Sequence, residues 1–236
     1  MRLLICAAFA AAAFAPIQVA AEAPNPDPAA VLRAAKATVG GKALDALTGS
    51  YEEGKHGTTA YKTWLNYRRY GMKGESLHDG VATASGFNGS VQWRVSGDGK
   101  LSVGQDAAAK REAITTAYFS NNGFFYPDRF PAHVSYLRKA SYEGRSFDVI
   151  EADPEGGRGA QLWFDRKTHL LGRIVDDKGS PPVAVDISDY RHVGKTLVAF
   201  RAVIRSLDGK ELEQMQVASV KYRKLPASTF DAPASR

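Results

Sequence analysis

The residue types that most often carry catalytic or metal-binding chemistry are thinly spread along this sequence. None of its five histidines has a second histidine or a carboxylate at a familiar ligand spacing; they are His56, His78, His133, His169 and His192. No GxSxG elbow, HExxH motif or glycine-rich phosphate loop occurs. A solvated strand edge explains the clustered acidic residues better than an acid–base pair does; these are Asp176, Asp177, Asp186 and Asp189. The sequence therefore predicts no catalytic residue, no metal site and no cofactor, and we do not expect an enzyme.

The first residues have the pattern of a cleaved export signal. Arg2 provides a positive start, Leu3 to Ala15 is apolar, and Val19-Ala20-Ala21 places small residues where cleavage occurs. The apolar run is too short to cross a bilayer, which needs about 20 apolar residues. We therefore expect a signal peptide over residues 1–21, a chain that does not span the membrane, and a periplasmic location for residues 22–236.

The length, cysteine content and charge of the mature chain limit the kinds of protein that it can be. Its 215 residues (236 minus 21) are within the range of one all-β domain. Cys6 is the sole cysteine and belongs to the predicted signal, so the mature chain has no disulfide and no thiolate metal site. Without Arg2 it carries 30 basic and 25 acidic residues, a net charge of +5. The basic residues are scattered, so a nucleic-acid partner is not expected.

Two helical segments are predicted near the start of the mature chain. Asp27 can cap a helix whose first turn accommodates Pro28, and Ala29 to Val39 is rich in alanine. Gly40-Gly41 ends that helix, and a shorter helical piece over Lys42 to Leu47 follows.

Most of the remaining chain consists of short alternating segments joined by tight turns, which is typical of antiparallel strands. The clearest example is the hairpin Ala160 to Asp177. On its first arm Leu162 and Phe164 share a face, as period-two alternation requires. On its second arm Leu170 and Ile174 share a face. About a dozen such strands predict an antiparallel meander that becomes a sandwich or a barrel.

One helix, Ala107 to Ser120, interrupts these strands after a capping Asp106. The densest aromatic patch of the chain follows it and lies between Phe119 and Phe130. The patch has two interpretations. Either it forms an apolar lid over a cavity mouth, or it is a hydrophobic plug that packs the helix onto the sheet.

Several short motifs recur in an order that resembles a known group. They are Gly86-Phe87-Asn88-Gly89 with Val91 and Trp93, Phe147 to Ile150, Leu162 to Asp165, Leu170 to Arg173, Asp189 to Arg191, and Leu225-Pro226 with Phe230. Together they resemble the LolA/LolB superfamily of periplasmic lipoprotein carriers. More closely, the chain is similar to domains that precede retropepsin-like aspartic proteases in some proteobacterial proteins. The arginine that LolA-type carriers use to hold their lid shut has no clear counterpart in the sequence.

The resemblance implies a mainly β (α+β) fold in one domain, residues 22–236. Its curved antiparallel sheet would form an incomplete barrel, with helices covering the open side. It also implies a non-enzymatic binding or carrier protein for an acyl chain of a lipid or lipoprotein, or for another apolar ligand. The alternative is an interaction module for an envelope protein, such as a protease. The cavity and its lid would be formed by the aromatic patch and by inward-facing strand residues: Val91, Trp93, Tyr118, Phe119, Phe124, Phe125, Tyr126, Leu162, Phe164, Val198 and Phe200.

Overall fold

A computed structural model describes residues 25–104 and 106–234. The predicted signal peptide lies outside the described residues. Within them the helices are α1 (Pro28–Val39), α2 (Lys42–Asp45) and α3 (Ala107–Ser120), together with two 3-10 turns, Gly123–Phe125 and Ala227–Phe230. None of these helices is long and apolar enough to span a membrane.

Thirteen strands form a single antiparallel sheet. They are β1 (Gly49–His56), β2 (Thr59–Asn66), β3 (Met72–His78), β4 (Val81–Phe87), β5 (Gln92–Val95), β6 (Leu101–Gly104), β7 (Ala132–Tyr142), β8 (Arg145–Pro154), β9 (Ala160–Asp165), β10 (Leu171–Asp176), β11 (Val183–Val193), β12 (Thr196–Ser206) and β13 (Glu211–Tyr222). The spatial order runs from β6 through β1 to β13 and on to β7, so β6 and β7 are the two edges. The sheet is open, which confirms the predicted incomplete barrel with helices.

The strand order forces α3 across the opening of the sheet. The chain leaves the sheet at one edge, β6, and re-enters it at the other edge, β7. The connection between these edges is α3 and the first 3-10 turn. Accordingly α3 contacts β5 near one edge and β8 near the other, while α1 packs on β7, β12 and the same 3-10 turn. The helices therefore cover the open side, as predicted.

The helix ends follow local sequence chemistry. The Asp27 side chain accepts a hydrogen bond from the backbone N–H of Ala29, and Asp106 accepts one from Ala109. Gly40 ends α1 with a φ of 144°, which lies in the region that favours glycine. The segment α2 ends at Asp45, two residues earlier than predicted.

The predicted hairpin is present, but its second arm begins one residue later than expected. Leu171 lies opposite Phe164, and a register shift between Leu171 and Arg173 accommodates the extra residue, Gly172. A Cβ at Gly172 would lie 2.7 Å from the Phe147 ring, so this position has room only for glycine.

The second 3-10 turn closes one end of the molecule. Phe230 is buried there, and the Trp93 indole N–H donates a 2.8 Å hydrogen bond to its carbonyl. Trp93 is paired with Gly86, whose neighbour Phe87 packs on α3. Since successive strand residues point to opposite faces, Trp93 lies on the outer face of the sheet, away from the helices.

Arg158 links α3 to the sheet through two ion pairs. It precedes β9, and its guanidinium contacts Glu112 of α3 at 2.5 Å and Asp176 at the end of β10 at 2.6 Å. Its backbone N–H also donates to the Thr115 hydroxyl at 2.8 Å. The Arg158 side chain is only 17% exposed, so these contacts are partly shielded from water.

We predict that Arg158→Met lowers the free energy of unfolding by about 1–3 kcal/mol, because it leaves Glu112 and Asp176 without their shared cation. Urea denaturation measures the loss, and amide hydrogen exchange locates it in α3. The control is Arg111→Met on the same helix, where Arg111 is exposed and a change within about 0.5 kcal/mol is expected. Equal stability of the two variants would contradict this role.

Candidate functional site

A cavity of about 200 Å³ lies between the concave face of the sheet and the helices. We call it the inner cavity. Its helical wall is mainly apolar and consists of Ala35, Val39, Leu44, Leu47, Phe125 and Tyr126, with the end of α3 at Ser120, Asn121 and Asn122. Its sheet wall is formed by Ser50, Glu52, Leu65, Tyr67, Leu171, Ile187, Tyr190, Leu197, Val198, Ala199, Val220 and Tyr222.

Two cations that lie near one aromatic ring hold the helical wall in place. We call α1, α2 and the first 3-10 turn the cover. Lys36 of α1 donates to Asp45 of α2 at 2.6 Å and to the Phe125 carbonyl at 2.9 Å. Arg129 donates to the carbonyls of Asp45 and Tyr67, which ties the cover to the end of β2. Both cations lie near the Tyr126 ring, at 5.3 Å and 4.7 Å from its centroid.

One side of the inner cavity is polar. Glu52 lies on β1 and accepts a 2.7 Å hydrogen bond from the Tyr61 hydroxyl. Burial raises the pKa of the Glu52 carboxyl above its usual range, although the Tyr61 bond opposes this shift. Among the described residues that line the cavity, Glu52 is the one carboxylic acid, and none of them is Lys, Arg or His.

Most other polar groups on the wall have partners within the protein. The hydroxyls of Ser50 and Tyr67 lie 2.9 Å apart, and those of Tyr222 and Thr196 lie 2.7 Å apart. The remaining two cavity tyrosines donate to backbone carbonyls: Tyr126 to Leu44, and Tyr190 to Leu171.

Asn121 is different from these paired groups. Its side chain is fully buried, and neither its amide nitrogen nor its oxygen has a hydrogen-bond partner among the described residues.

The structure distributes the predicted site residues over several places. Phe125, Tyr126 and Val198 line the inner cavity. Tyr118, Phe124 and Phe125 line a separate groove of about 510 Å³ between α1 and β7. The other predicted residues do not line the inner cavity: Phe119, Leu162 and Phe164 pack in the core, Phe200 is buried beside Arg191, Trp93 is on the outer face, and Val91 precedes β5.

Sequence reasoning missed four residues that shape the site. Lys36, Arg129 and Glu52 carried no motif, and Asn121 was interpreted only as the end of α3. The one available signal was the Asn121-Asn122-Gly123 run, which marks a turn after the helix but does not show which side chain points inward. The described residues contain no group of three or more His, Cys, Asp or Glu side chains arranged to hold a metal ion.

A larger groove lies on the outer face of the sheet, across β1 to β5 and β13. This outer groove has a volume of about 740 Å³. Leu77, paired with Ala60 and Ala82 on the neighbouring strands, is 51% exposed at its centre. Charged side chains form part of its lining: Glu53, Lys55, Lys62 and Glu75.

The open sheet and the helices that cover it define a class of fold that is shared with solved structures. A domain described as an outer membrane lipoprotein-sorting protein from Vibrio parahaemolyticus has a TM-score of 0.56 and is 13% identical, covering 87% of this chain and 97% of that chain. A LolA superfamily protein from Nitrosomonas europaea has a TM-score of 0.55 and is 11% identical, with 87% and 97% covered. A DUF1329 family protein from Desulfovibrio piger has a TM-score of 0.54 and is 11% identical, with 87% and 98% covered.

The chain therefore has a LolA-like fold, as the sequence motifs predicted. No family model matches it, and no curated protein matches it. At these levels of identity the likeness extends to the fold alone.

The aromatic patch contributes to the core in this arrangement. Phe124 is 3% exposed and packs against Phe125, Phe164 and Tyr118, with ring centroids 4.6, 6.0 and 6.4 Å away. Phe125 is 8% exposed and also forms part of the cavity wall. A lid that opens would therefore have to withdraw these rings from a packed cluster.

We predict that replacing both Phe124 and Phe125 with serine strongly destabilises the protein, because each truncated buried ring costs about 3–5 kcal/mol. Thermal melting and urea denaturation measure the effect. Leu137→Ser is the matched control, since Leu137 is 37% exposed on β7 and should tolerate serine. If the double variant melts like the parent but loses affinity for an apolar probe, the patch is a lid and not a plug.

Proposed function

We propose that this protein is a periplasmic, non-enzymatic binding or carrier protein for an acyl chain or another apolar ligand. The single domain 22–236, after removal of the signal peptide, is the binding unit. The observation that carries the proposal is the inner cavity, which has a mainly apolar helical wall and lies between the concave sheet and a cover held by polar contacts. The lipoprotein-sorting description of one structure with the same fold supports it.

The size of the inner cavity indicates that the cover must move for a full acyl chain to enter. Its volume of about 200 Å³ is below the roughly 300–1,000 Å³ of typical small-molecule pockets. The Lys36–Asp45 pair is partly exposed, with side chains 26% and 49% accessible, and such pairs contribute only about 0–1 kcal/mol. The cover is therefore held by apolar packing and by an ion pair whose contacts water can readily replace.

We predict that Ala199→Phe weakens binding of the apolar fluorescent probe N-phenylnaphthylamine by about tenfold, equivalent to about 1.4 kcal/mol. Ala199 is half-buried on β12 and lines the inner cavity, so a phenyl ring there occupies the binding volume. Fluorescence titration of the mature protein measures the affinity. The control is Ala82→Phe, at an exposed position of β4 in the outer groove.

Three results would count against the carrier proposal. These are no probe binding by the parent protein at micromolar concentration, no lipid in native mass spectra of the purified protein, or equal loss of affinity in both variants. Melting temperatures of the two variants separate a blocked cavity from a damaged fold, since overpacking itself costs about 1–3 kcal/mol.

A second candidate function, an interaction module for an envelope protein, is favoured by the outer groove. Exposed contiguous apolar surface with a polar rim often marks a protein–protein contact. Leu77 is exposed at the centre of the groove, and both Lys62 and Glu75 border it.

We predict for this second function that Leu77→Glu abolishes co-purification of a stoichiometric partner from periplasmic extract, because it places a charge in the apolar centre of the contact. The control is Leu212→Glu, at a position that is 52% exposed on β13 and does not line the groove. Recovery of no partner by the parent protein, or equal recovery by both variants, would exclude this function for the groove.

A further inference from the structure

The two edges of the sheet are protected to different degrees. Unpaired backbone groups along an edge strand can pair with another chain, and proteins limit this with short edge strands, bulges and charged side chains. The edge strand β6 has only four residues. The edge strand β7 has 11 residues, and its second half contains a register shift between Tyr136 and Arg138, followed by Lys139. The first half, residues 132–136, has no register shift, proline, lysine or arginine.

The first half of β7 directs several backbone groups away from the sheet. The backbone N–H of Glu155 donates to the carbonyl of Pro131 at 3.0 Å, so these residues form a hydrogen-bonded pair at the start of the β7–β8 ladder. Hydrogen-bonded pairs alternate with non-hydrogen-bonded pairs along an antiparallel ladder. The odd-numbered residues of the segment therefore bond to β8, and the even-numbered residues point their N–H and C=O groups at the free edge. We call these the edge residues: Ala132, Val134 and Tyr136. Among the described residues, no backbone hydrogen bond satisfies these groups.

The groove of about 510 Å³ between α1 and β7 lies beside this segment, and we call it the edge groove. Two of the edge residues, Ala132 and Val134, line it. Most of its other lining side chains are apolar, among them Pro28, Leu32, Phe124 and Phe130. Its charged lining residues already take part in ion pairs: Asp27 with Arg33, and Lys36 with Asp45. Unpaired backbone groups and an apolar surface are thus adjacent.

An extended peptide strand matches both of these features. In an antiparallel addition, each edge residue pairs with one peptide residue through two hydrogen bonds, about six in all. Directly opposed residues place their side chains on the same face of a sheet. Every second peptide side chain would therefore point to the face on which Val134 lines the edge groove.

A second copy of this chain fits the edge less well. If two copies paired through β7, the side chains offered to each groove would be those of the edge residues themselves. These side chains already pack against the core of their own copy, so the edge groove would stay empty.

The charges beyond the unprotected segment favour an acidic partner. Arg138 and Lys139 are exposed, and neither forms an ion pair among the described residues. Arg138 donates instead to the uncharged side chain of Gln161. In an antiparallel addition, the N-terminal part of the peptide lies beside these two cations, where carboxylates are favoured.

We propose that the first half of β7 is a peptide-binding edge, which takes an extended protein segment as an additional, antiparallel strand of the sheet. The segment has apolar residues opposite the three edge residues and acidic residues N-terminal to them, beside Arg138 and Lys139. The site is separate from the inner cavity and from the outer groove, so the inference goes beyond the carrier function and does not depend on it.

The test measures fluorescence anisotropy of the synthetic peptide fluorescein-DEGTVTVTVT-amide with the mature protein. We expect binding at micromolar concentration. N-methylation of the three valine amides, which face β7 in this register, should weaken binding at least about tenfold. N-methylation of the threonine after each valine blocks amides that face away from β7, and this matched control peptide should bind like the parent peptide.

Protein variants and hydrogen exchange locate the contact. The amides of Val134 and Tyr136 should exchange freely in the protein alone and become protected with the peptide. Val134→Pro removes an N–H that faces the free edge, where proline is tolerated, so it should weaken peptide binding at least about tenfold and still fold. If it does not fold, the two N-methylated peptides with the parent protein decide the question.

The charge contribution is tested by replacing both Arg138 and Lys139 with glutamate, which should weaken peptide binding about tenfold. The matched control replaces Lys110 and Arg111 with glutamate, an equal charge change at exposed neighbouring positions on α3. Affinity for N-phenylnaphthylamine should be unchanged in both variants.

Several results would overturn the peptide-binding edge and leave the carrier proposal standing. These are no binding of the peptide by the parent protein, equal binding of the two N-methylated peptides, or no protection of the Val134 and Tyr136 amides. If light scattering shows a dimer that Val134→Pro converts to a monomer, the edge pairs with a second copy of the chain and the proposal is wrong.

Discussion

The need to cover the apolar concave face of an open sheet governs this structure. Burial of apolar surface is worth roughly 25 cal/mol per Å², so an exposed concave face would be costly. The sheet does not close on itself, since β6 and β7 are its two edges and do not pair with each other. The chain that joins those two edges must cross the opening, and it crosses it as α3 and an aromatic 3-10 turn. The covering of the sheet is thus a direct consequence of strand order.

The interactions that hold the cover on the sheet differ from those that hold the strands of the sheet together. Strands are joined by continuous backbone hydrogen bonds, whereas the cover is attached by aromatic packing and by Lys36 and Arg129, which lie near the Tyr126 ring. Side-chain contacts of this kind can be exchanged for contacts with a ligand or with water at modest cost. By contrast α3 is anchored through Arg158 to both its own Glu112 and the sheet. A ligand that moves part of the helical layer would meet least resistance at α1 and α2.

The inner cavity combines a mainly apolar helical wall with a few polar groups on its sheet wall. Apolar wall area supplies affinity, while a few placed polar groups supply orientation and specificity. An unpaired buried amide is costly to stability, and among the described residues the Asn121 side chain has no hydrogen-bond partner. Glu52 of β1 is the one carboxylic acid among the described lining residues, and it accepts a hydrogen bond from the Tyr61 hydroxyl.

The sequence by itself determined the class of fold and most element bounds, because these depend on local patterns. Capping by Asp27 and Asp106 located α1 and α3, and period-two alternation located the strands. Only the tertiary structure decided which face each side chain occupies and which distant residues meet. Trp93 belongs to a resemblance motif yet lies under the C-terminal tail, and a bulge at Gly172 changed a register that alternation alone could not reveal. Glu52 and Asn121 line the same cavity only because the concave face that includes β1 and the helical layer that includes the end of α3, far apart in the chain, pack against each other, and no local pattern encodes that approach.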